Sequence, residues 1–208
     1  MANKTNAVRL VEKAGFSCEE AFYEFDKNDL NGMHAAEAIG LPPEQVFKTL
    51  VARGMHTGIH IFCIPVCCEL DLKSAAKVAG DKKIELVSVK ELLNLTGYIR
   101  GGCSPIGMKK KYPTYIDETC QLYEKIAVSA GERGHQMLLP YDAIVSLTNA
   151  KLADMCMCEA GLRDHIVTQR CADFLVDTVS GSRCGGTCRS RPARGCRRRR
   201  DPCRRDRQ

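Results

Sequence analysis

Between about residues 5 and 155, short segments with the apolar spacing of helices alternate with short segments typical of strands. Glycine or proline separates most of these segments. Residues 5–14 repeat apolar side chains at helical spacing. Residues 46–52 and 59–65 are rich in β-branched and other apolar residues, which predicts a β-hairpin. This order predicts a single domain of mixed α/β (α+β) class, with a mixed, barrel-like β-sheet core surrounded by short helices.

Capping residues predict where several elements begin and end. Asp71 is a preferred N-cap and Gly80 a preferred helix-ending residue, so a helix is predicted between them. Ser88 with Glu91 three residues later matches a capping box, which predicts a helix over residues 89–95. Other segments predict strands or short helices: residues 20–26, 33–39, 83–87, 112–117, 125–130, 135–139 and 140–147.

The net charge of +6 is distributed unevenly along the chain. Residues 1–154 contain 14 Lys and 4 Arg against 19 acidic residues, whereas residues 155–208 contain 13 Arg, no Lys and 6 acidic residues. The body is therefore nearly neutral, and RNA binding by the body requires a local basic patch.

We divide the chain into a domain over residues 1–155 and an Arg/Cys-rich tail over residues 156–208. From Ser180 onward the tail consists almost wholly of Arg, Gly, Cys, Ser and Pro, a composition that cannot bury enough apolar surface to fold. One interpretation is a disordered basic arm that holds RNA phosphates. The abrupt change from Lys to Arg favours a second interpretation, translation of a shifted reading frame or of DNA beyond a lost stop codon.

Composition also bears on the compartment. No run approaches the ~18 apolar residues that cross a bilayer, and residues 1–13 contain no apolar signal core. We therefore expect a cytoplasmic protein that does not contact membranes. In a reducing compartment its thirteen cysteines are expected to be free thiols or metal ligands.

Lys48 lies within the predicted strand V-F-K-T-L-V and shares one face with Val46 and Leu50. A lysine on an apolar face pairs with an acceptor, extends its ammonium group outward, or lines a site that requires a cation. The residue pattern leaves these alternatives open, and the outward-extending lysine is the commonest of them.

A glycine-rich loop is predicted over residues 97–107, after the helix that follows Ser88. Gly101 and Gly102 allow the backbone to approach a ligand closely, and Pro105 fixes a turn. Such a loop can present backbone N–H and C=O groups as a polar pocket, to which Ser104 would add a hydroxyl group. A tight connection to the next strand explains the same residues equally well.

Three lysines, Lys109, Lys110 and Lys111, follow this loop directly. Beside a pocket they would attract a polyanion such as an RNA end, whereas elsewhere such a run is usually a solvated charged surface. Their adjacency to the loop favours the RNA interpretation. The motifs G-x-S-x-G, H-E-x-x-H, G-x-G-x-x-G and the P-loop are absent from the sequence.

Three segments together resemble the YbaK family of Cys-tRNA(Pro)/Cys-tRNA(Cys) deacylases. They are V-F-K-T-L-V at 46–51, G-Y-I-R-G-G-C-S-P-I-G-M-K-K-K-Y-P-T-Y-I-D at 97–117, and V-S-A-G-E-R-G-H-Q-M-L-L at 128–139. The resemblance covers about residues 5–155 and implies a barrel-like mixed sheet with surrounding helices. It also implies editing in trans of mischarged tRNA(Pro), in a complex that includes prolyl-tRNA synthetase, with no cofactor and no metal.

The resemblance assigns roles to particular residues. Lys48 takes the place of the family's essential lysine, and Tyr23 that of its pocket tyrosine. Gln136 stands where some members have an acidic residue, and an amide can hydrogen-bond but carries no charge. The loop that binds the aminoacyl group corresponds to Gly101, Gly102, Cys103, Ser104 and Pro105. Contact with the tRNA is expected from Lys109, Lys110 and Lys111.

The family's chemistry needs no nucleophile from the protein. The substrate's own thiol attacks its ester carbonyl, which releases the tRNA and a cyclic thiolactone, while the protein orients the ester and stabilises developing charge. Lys48 would hold the terminal ribose or phosphate, and the loop the amino and carbonyl groups. Two alternatives stay open: a sibling domain that removes Ala from tRNA(Pro), and a non-catalytic module that docks on a synthetase–tRNA complex.

Overall fold

The computed structural model describes residues 4–26 and 31–157, in which helices and strands alternate. The helices are α1 (Asn6–Lys13), α2 (Gly32–Ile39), α3 (Leu72–Ala79), α4 (Val89–Thr96) and α5 (Tyr141–Thr148), with a 3-10 helix over Glu118–Leu122. The strands are β1 (Glu19–Phe22), β2 (Val46–Gly54), β3 (Gly58–Pro65), β4 (Glu69–Leu70), β5 (Ile84–Leu86), β6 (Thr114–Asp117), β7 (Ile126–Ser129), β8 (His135–Leu139), β9 (Lys151–Ala153) and β10 (Cys156–Met157).

Eight of these strands form one mixed sheet in the order β1-β8-β7-β2-β3-β6-β9, with β5 paired to β2. The predicted hairpin is present, since β2 pairs antiparallel with β3, and β7 forms a second antiparallel pair with β8. The pairs β2–β7, β3–β6 and β6–β9 are parallel. The predicted mixed α+β class is therefore confirmed, although the paired strands of the described residues end at β1 and β9 without closing a barrel.

The sheet separates two apolar layers, because successive strand residues point to opposite faces. Phe47 and Val51 of β2 belong to a core cluster that also contains buried residues of α1 and α5. Ala52 of β2 belongs to the cluster that contains α3, and Val46 to the one that contains α2. Helices thus cover both faces of the sheet. The start of β2 packs against α2.

Helix capping follows the sequence fully at Asp71 and in part at Ser88. The Asp71 carboxylate accepts a hydrogen bond from the Lys73 amide, and Gly80 ends α3 in the left-handed conformation. The capping-box expectation at Ser88 is confirmed in part: Ser88 is the N-cap of α4, as predicted, but its side chain makes no bond to a helix amide. The Ser88 hydroxyl donates instead to the Glu91 carboxylate at 3.0 Å, and that carboxylate also pairs with Arg53.

The cysteines of the described region are mostly free thiols. Cys63, Cys103 and Cys120 are buried, and burial raises the pKa of each thiol to about 12. Cys68 departs from the expectation of free thiols, because its sulfur is disulfide-bonded. Within residues 4–26 and 31–157, no group of three or more His, Cys, Asp or Glu side chains could hold a metal ion.

The end of the described chain adds a small second sheet. β10 pairs antiparallel with β4, so Cys156 and Met157 pack with the domain. The predicted tail lies outside the described residues from residue 158 onward. In the described part of the chain, no helix has the length and apolar character needed to cross a membrane.

Candidate functional site

A cavity of about 520 Å³ opens where the beginning of β2 meets three other segments. These are the start of α2, the loop at residues 100–103 and the turn between β7 and β8. Five residues predicted for the site line it: Tyr23, Lys48, Gly101, Cys103 and Gln136. The fold therefore brings together residues that are more than one hundred positions apart in the sequence.

Lys48 enters the cavity from the apolar face of β2, as its spacing predicts. It is half-buried, Val46 and Leu50 line the cavity beside it, and its ammonium group donates a hydrogen bond to the Val66 carbonyl at 3.2 Å. Burial lowers the pKa of Lys48, and the nearby Glu69 opposes that shift. A carbonyl partner leaves most donors of the ammonium group for a ligand.

The glycine loop divides between the cavity and the protein interior. Gly101 and Cys103 line the cavity, whereas Gly102, Ser104 and Pro105 are buried outside its lining. The Ser104 hydroxyl accepts a hydrogen bond from the Ile106 amide at 3.2 Å, so it stabilises the loop itself. This geometry does not support the predicted contribution of the Ser104 hydroxyl to a polar pocket.

Gly102 packs against the turn between β7 and β8. A Cβ atom at this position would lie 2.9 Å from the backbone of Glu132 and 3.1 Å from the Arg133 amide nitrogen. Backbone atoms cannot move aside as a flexible side chain can, so glycine is required for this contact. The loop and the turn therefore pack together at one side of the cavity.

Gln136 and Ser129 form a polar wall of the cavity. The two residues are opposite each other in the β7–β8 pairing, and Gln136 is only 6% exposed. The Oε1 atom of Gln136 is buried without a hydrogen-bond partner among the described residues. A buried acceptor of this kind is costly unless a ligand or water satisfies it.

Tyr23 lies at the aromatic side of the cavity, just beyond the end of β1. Its amide donates to the Gly134 carbonyl at 2.9 Å, which ties it to the β7–β8 turn. Its ring meets that of His34 edge-on, with ring centroids 6.4 Å apart. Phe25 also lines the cavity and is 38% exposed.

The cations of the cavity are not the ones that sequence adjacency indicates. Lys109, Lys110 and Lys111 are exposed and lie outside the lining, and the Lys109 ammonium group donates to the Leu93 carbonyl at the end of α4. Arg100 and Arg133 line the cavity instead. Both arginines stand in the motifs G-Y-I-R-G-G and G-E-R-G, which was the only signal for them in the sequence.

The lining offers hydroxyl and thiol groups without an activating base. In the described part of the chain no hydrogen bond joins Thr49, Ser129 or Cys103 to a histidine, and the one lining histidine, His34, contacts the Glu24 carbonyl. The raised pKa of the Cys103 thiol, about 12, keeps it protonated and a poor nucleophile. Among the described residues, the lining therefore presents no hydroxyl or thiol group that a histidine activates.

Comparison with known proteins identifies relatives of the whole domain. Residues 33–147 match the aminoacyl-tRNA editing domain family. The chain is similar to a candidate Cys-tRNA(Pro)/Cys-tRNA(Cys) deacylase, EbsC, of Enterococcus faecalis, with 47% identity over 152 residues that cover 73% of this chain and 93% of that protein. It is also 31% identical, over 101 residues, to a proline–tRNA ligase of Shouchella clausii, covering 49% of this chain and 18% of the ligase.

A solved structure shares the fold. A crystal structure described as a candidate trans-editing enzyme for prolyl-tRNA synthetase superposes with a TM-score of 0.63 and 24% identity. The match covers 73% of this chain and 92% of that one. At this identity the likeness concerns the fold alone.

Proposed function

Because this chain belongs to the aminoacyl-tRNA editing domain family, we propose that it deacylates mischarged Cys-tRNA(Pro) in trans, with Cys-tRNA(Cys) as a second substrate. The observation that carries this proposal is the set of chemical groups that line the cavity. It contains a half-buried lysine and an orphaned amide oxygen, yet it lacks an activated nucleophile among the described residues. A substrate that carries its own thiol supplies what such a cavity lacks.

The proposed reaction balances without a co-reactant. The cysteinyl sulfur attacks the carbonyl carbon of its own ester, the bond between that carbon and the ribose oxygen breaks, and the thiol proton passes to the ribose oxygen. The products are tRNA with a restored terminal hydroxyl group and a cyclic thiolactone, which water then opens to cysteine. The protein accelerates this step by holding thiol and carbonyl in a reactive orientation.

The predicted site residues that line the cavity have roles that their surroundings support. Lys48 contacts the ester end of the terminal ribose, where its positive charge stabilises the departing oxygen. The orphaned Oε1 of Gln136 accepts a hydrogen bond from the α-ammonium group of the aminoacyl moiety. Tyr23 and the backbone at Gly101 and Cys103 bound the space for the side chain and carbonyl group.

Partners and compartment follow from the proposed substrate. We expect tRNA(Pro) as the nucleic-acid partner and prolyl-tRNA synthetase in a ternary complex, in the cytoplasm where translation consumes aminoacyl-tRNA. The relative EbsC is named for the same pair of substrates. We expect that complex to discriminate among tRNAs, because residues 1–154 are nearly neutral, with 18 basic against 19 acidic side chains.

The experiment is a comparison of two esters on one tRNA. The full chain is incubated separately with Cys-tRNA(Pro) and Ala-tRNA(Pro), and the remaining aminoacyl-tRNA is followed over time. We expect rapid loss of the Cys ester and much slower loss of the Ala ester. Rapid loss of Ala with intact Cys identifies the sibling activity, and loss of neither identifies a binding module; both outcomes contradict the proposal.

A further inference from the structure

The entrance of the cavity carries two arginines whose role the proposed chemistry leaves unassigned. Arg100 is exposed and Arg133 half-buried, whereas Lys48 is half-buried and Gln136 fully buried. Arg100 is thus the most exposed of these four side chains and Gln136 the most buried, with Arg133 and Lys48 between them. Among the described residues that line it, three are cations and none is Asp or Glu.

The geometry fixes Arg133 in this place. Its Nε atom donates to the Arg100 carbonyl at 2.9 Å, so the two arginine-bearing segments are joined directly. Gly102 lies flush against the backbone of Glu132 and Arg133 and holds the same segments together from the other side. The hydrogen bond uses Nε alone, so the terminal nitrogens of the guanidinium group remain available for a ligand.

Nearby carboxylates are drawn away from these guanidinium groups. Glu132, the acidic neighbour of Arg133, lies 3.1 Å from Nδ1 of His135, and Glu20 lies 2.9 Å from Nε2 of the same ring. Only the first of these contacts has the angles of a hydrogen bond. No carboxylate of the described residues forms an ion pair with Arg100 or Arg133.

We infer that Arg100 and Arg133 bind the phosphate group of the 3′-terminal nucleotide of the substrate. That this nucleotide belongs to an aminoacylated tRNA rests on the proposed function. Phosphate, ribose, ester and amino acid follow one another in an aminoacylated RNA end. The cavity lining offers a suitable group for each: the guanidinium groups for the phosphate, Lys48 for the ester end of the ribose, and the buried Gln136 for the amino group. Planar guanidinium groups bind phosphate oxygens in pairs, which sets the depth to which the ester enters.

The test separates the phosphate from the rest of the nucleotide. Two minimal substrates are used: 2′(3′)-O-cysteinyl-adenosine and its 5′-monophosphate. The full chain should cleave the phosphorylated ester with a kcat/KM about ten- to a hundredfold higher, since a hydrogen bond to a charged group contributes on that scale. Arg133→Gln and Arg100→Gln should each remove much of this advantage, read as the ratio of kcat/KM for the two esters within the same variant.

A matched control uses an arginine away from the cavity. Arg9 is exposed on α1 and outside the lining, so Arg9→Gln removes the same charge and should keep the full phosphate advantage. Equal cleavage of the two esters by the unmodified chain would overturn the inference. So would Arg133→Gln and Arg100→Gln variants that keep the full ratio between the two esters, because the phosphate would then gain nothing from either guanidinium group.

Binding of non-reacting ligands separates this inference from the proposed function. AMP should bind more tightly than adenosine to the unmodified chain, and Arg133→Gln should erase the difference. If AMP binds no better than adenosine, the phosphate site is refuted whatever happens to the esters. If AMP binding depends on the arginines but the cysteinyl esters stay intact, the proposed function fails and the phosphate site stands.

Discussion

Two cationic regions flank the glycine loop, and they differ in what surrounds them. Arg100 and Arg133 line the cavity and lie on segments that pack against each other. The lysine run 109–111 is contiguous in sequence and exposed, and Lys109 is already bonded to the end of α4. Charge density along the chain is therefore a poor guide to charge density at a site, because a fold assembles charges from separate segments.

The regions also differ in how strongly their charges are expected to act. A charge that is partly shielded from water, as that of the half-buried Arg133 is, interacts more strongly with a ligand than a charge on an open surface. We therefore expect substitutions in the cavity to change catalysis, and substitutions in the lysine run to change little more than the salt dependence of RNA binding.

The largest effect is expected at Lys48. Lys48→Met keeps the length and apolar stem of the side chain but removes the charge, and should lower the rate of Cys-tRNA(Pro) deacylation about a hundredfold or more. The melting temperature should stay equal or rise, because burial lowers the pKa of Lys48 and the folded state therefore disfavours its charged form. Parallel deacylation assays and thermal melts check both outcomes.

The pH dependence of that stability difference has a definite sign. With a folded-state pKa below the ordinary 10.5, the penalty for the buried charge is fully present below the folded pKa and disappears as pH rises toward the unfolded value. The gap in melting temperature between Lys48→Met and the unmodified chain should therefore shrink from about pH 7 toward pH 10. A gap that widens with pH would contradict burial as the cause.

The next largest effect is expected at Gly102, where the loop meets the β7–β8 turn. Gly102→Ala forces a Cβ atom against the Glu132 backbone, and should lower stability by about 1–3 kcal/mol and deacylation about tenfold or more. Gly80→Ala provides the control, since Gly80 has a φ of +70° and open space around it. It should lower stability by about 1 kcal/mol and leave the rate unchanged. Equal losses of rate in both variants would mean that stability alone explains the effect.

A smaller effect is expected at Gln136. Gln136→Met removes the orphaned acceptor and should lower kcat/KM for the Cys ester about two- to tenfold, the range of one hydrogen bond. Stability should not fall, because Oε1 has no partner to lose among the described residues. Gln121→Met, at an exposed glutamine of the 3-10 helix, should change neither quantity. A marked drop in melting temperature for Gln136→Met alone would reassign this amide to a structural role.

The smallest effect is expected at the lysine run. Lys110→Gln and Lys111→Gln should each change the deacylation of Cys-tRNA(Pro) by less than about threefold, and at most lower the slope of log binding against log salt by about one unit. Neither substitution should change kcat/KM for cleavage of the 5′-monophosphate of cysteinyl-adenosine. A tenfold loss of kcat/KM on that minimal substrate would show that these lysines contact the substrate's terminal nucleotide. The lysine run, and not the cavity alone, would then bind the end of the tRNA.

Much of the fold is predictable from the sequence because the residues that begin and end its helices and strands act locally. Asp71 and Gly80 bound α3 as expected, and the β2–β3 hairpin follows from its two apolar runs. Ser88 deviates because its hydroxyl has a charged acceptor, the Glu91 carboxylate, within reach. β9 escapes the pattern, since its three residues gain their strand character from pairing with β6.

The site is predictable only in part, for a physical reason. Lys48 and Gly101 stand out because apolar spacing and glycine pairs are visible in one segment. Ser104 turns inward to bond the Ile106 amide, and the Arg100–Arg133 contact depends on packing between segments about thirty residues apart. No local rule predicts such a contact, so the two arginines of the cavity emerge only from the three-dimensional arrangement.

The central claim is that the cavity orients a substrate which supplies its own nucleophile. The most direct measurement compares Cys-tRNA(Pro) with the same tRNA esterified to S-methylcysteine, which has nearly the same size and no thiol. The full chain should deacylate the first rapidly, with a thiolactone trapped by an added amine, and leave the second at its spontaneous rate. Deacylation of the S-methyl ester at a comparable rate would contradict the account, because the attacking group would then have to come from the protein or from water.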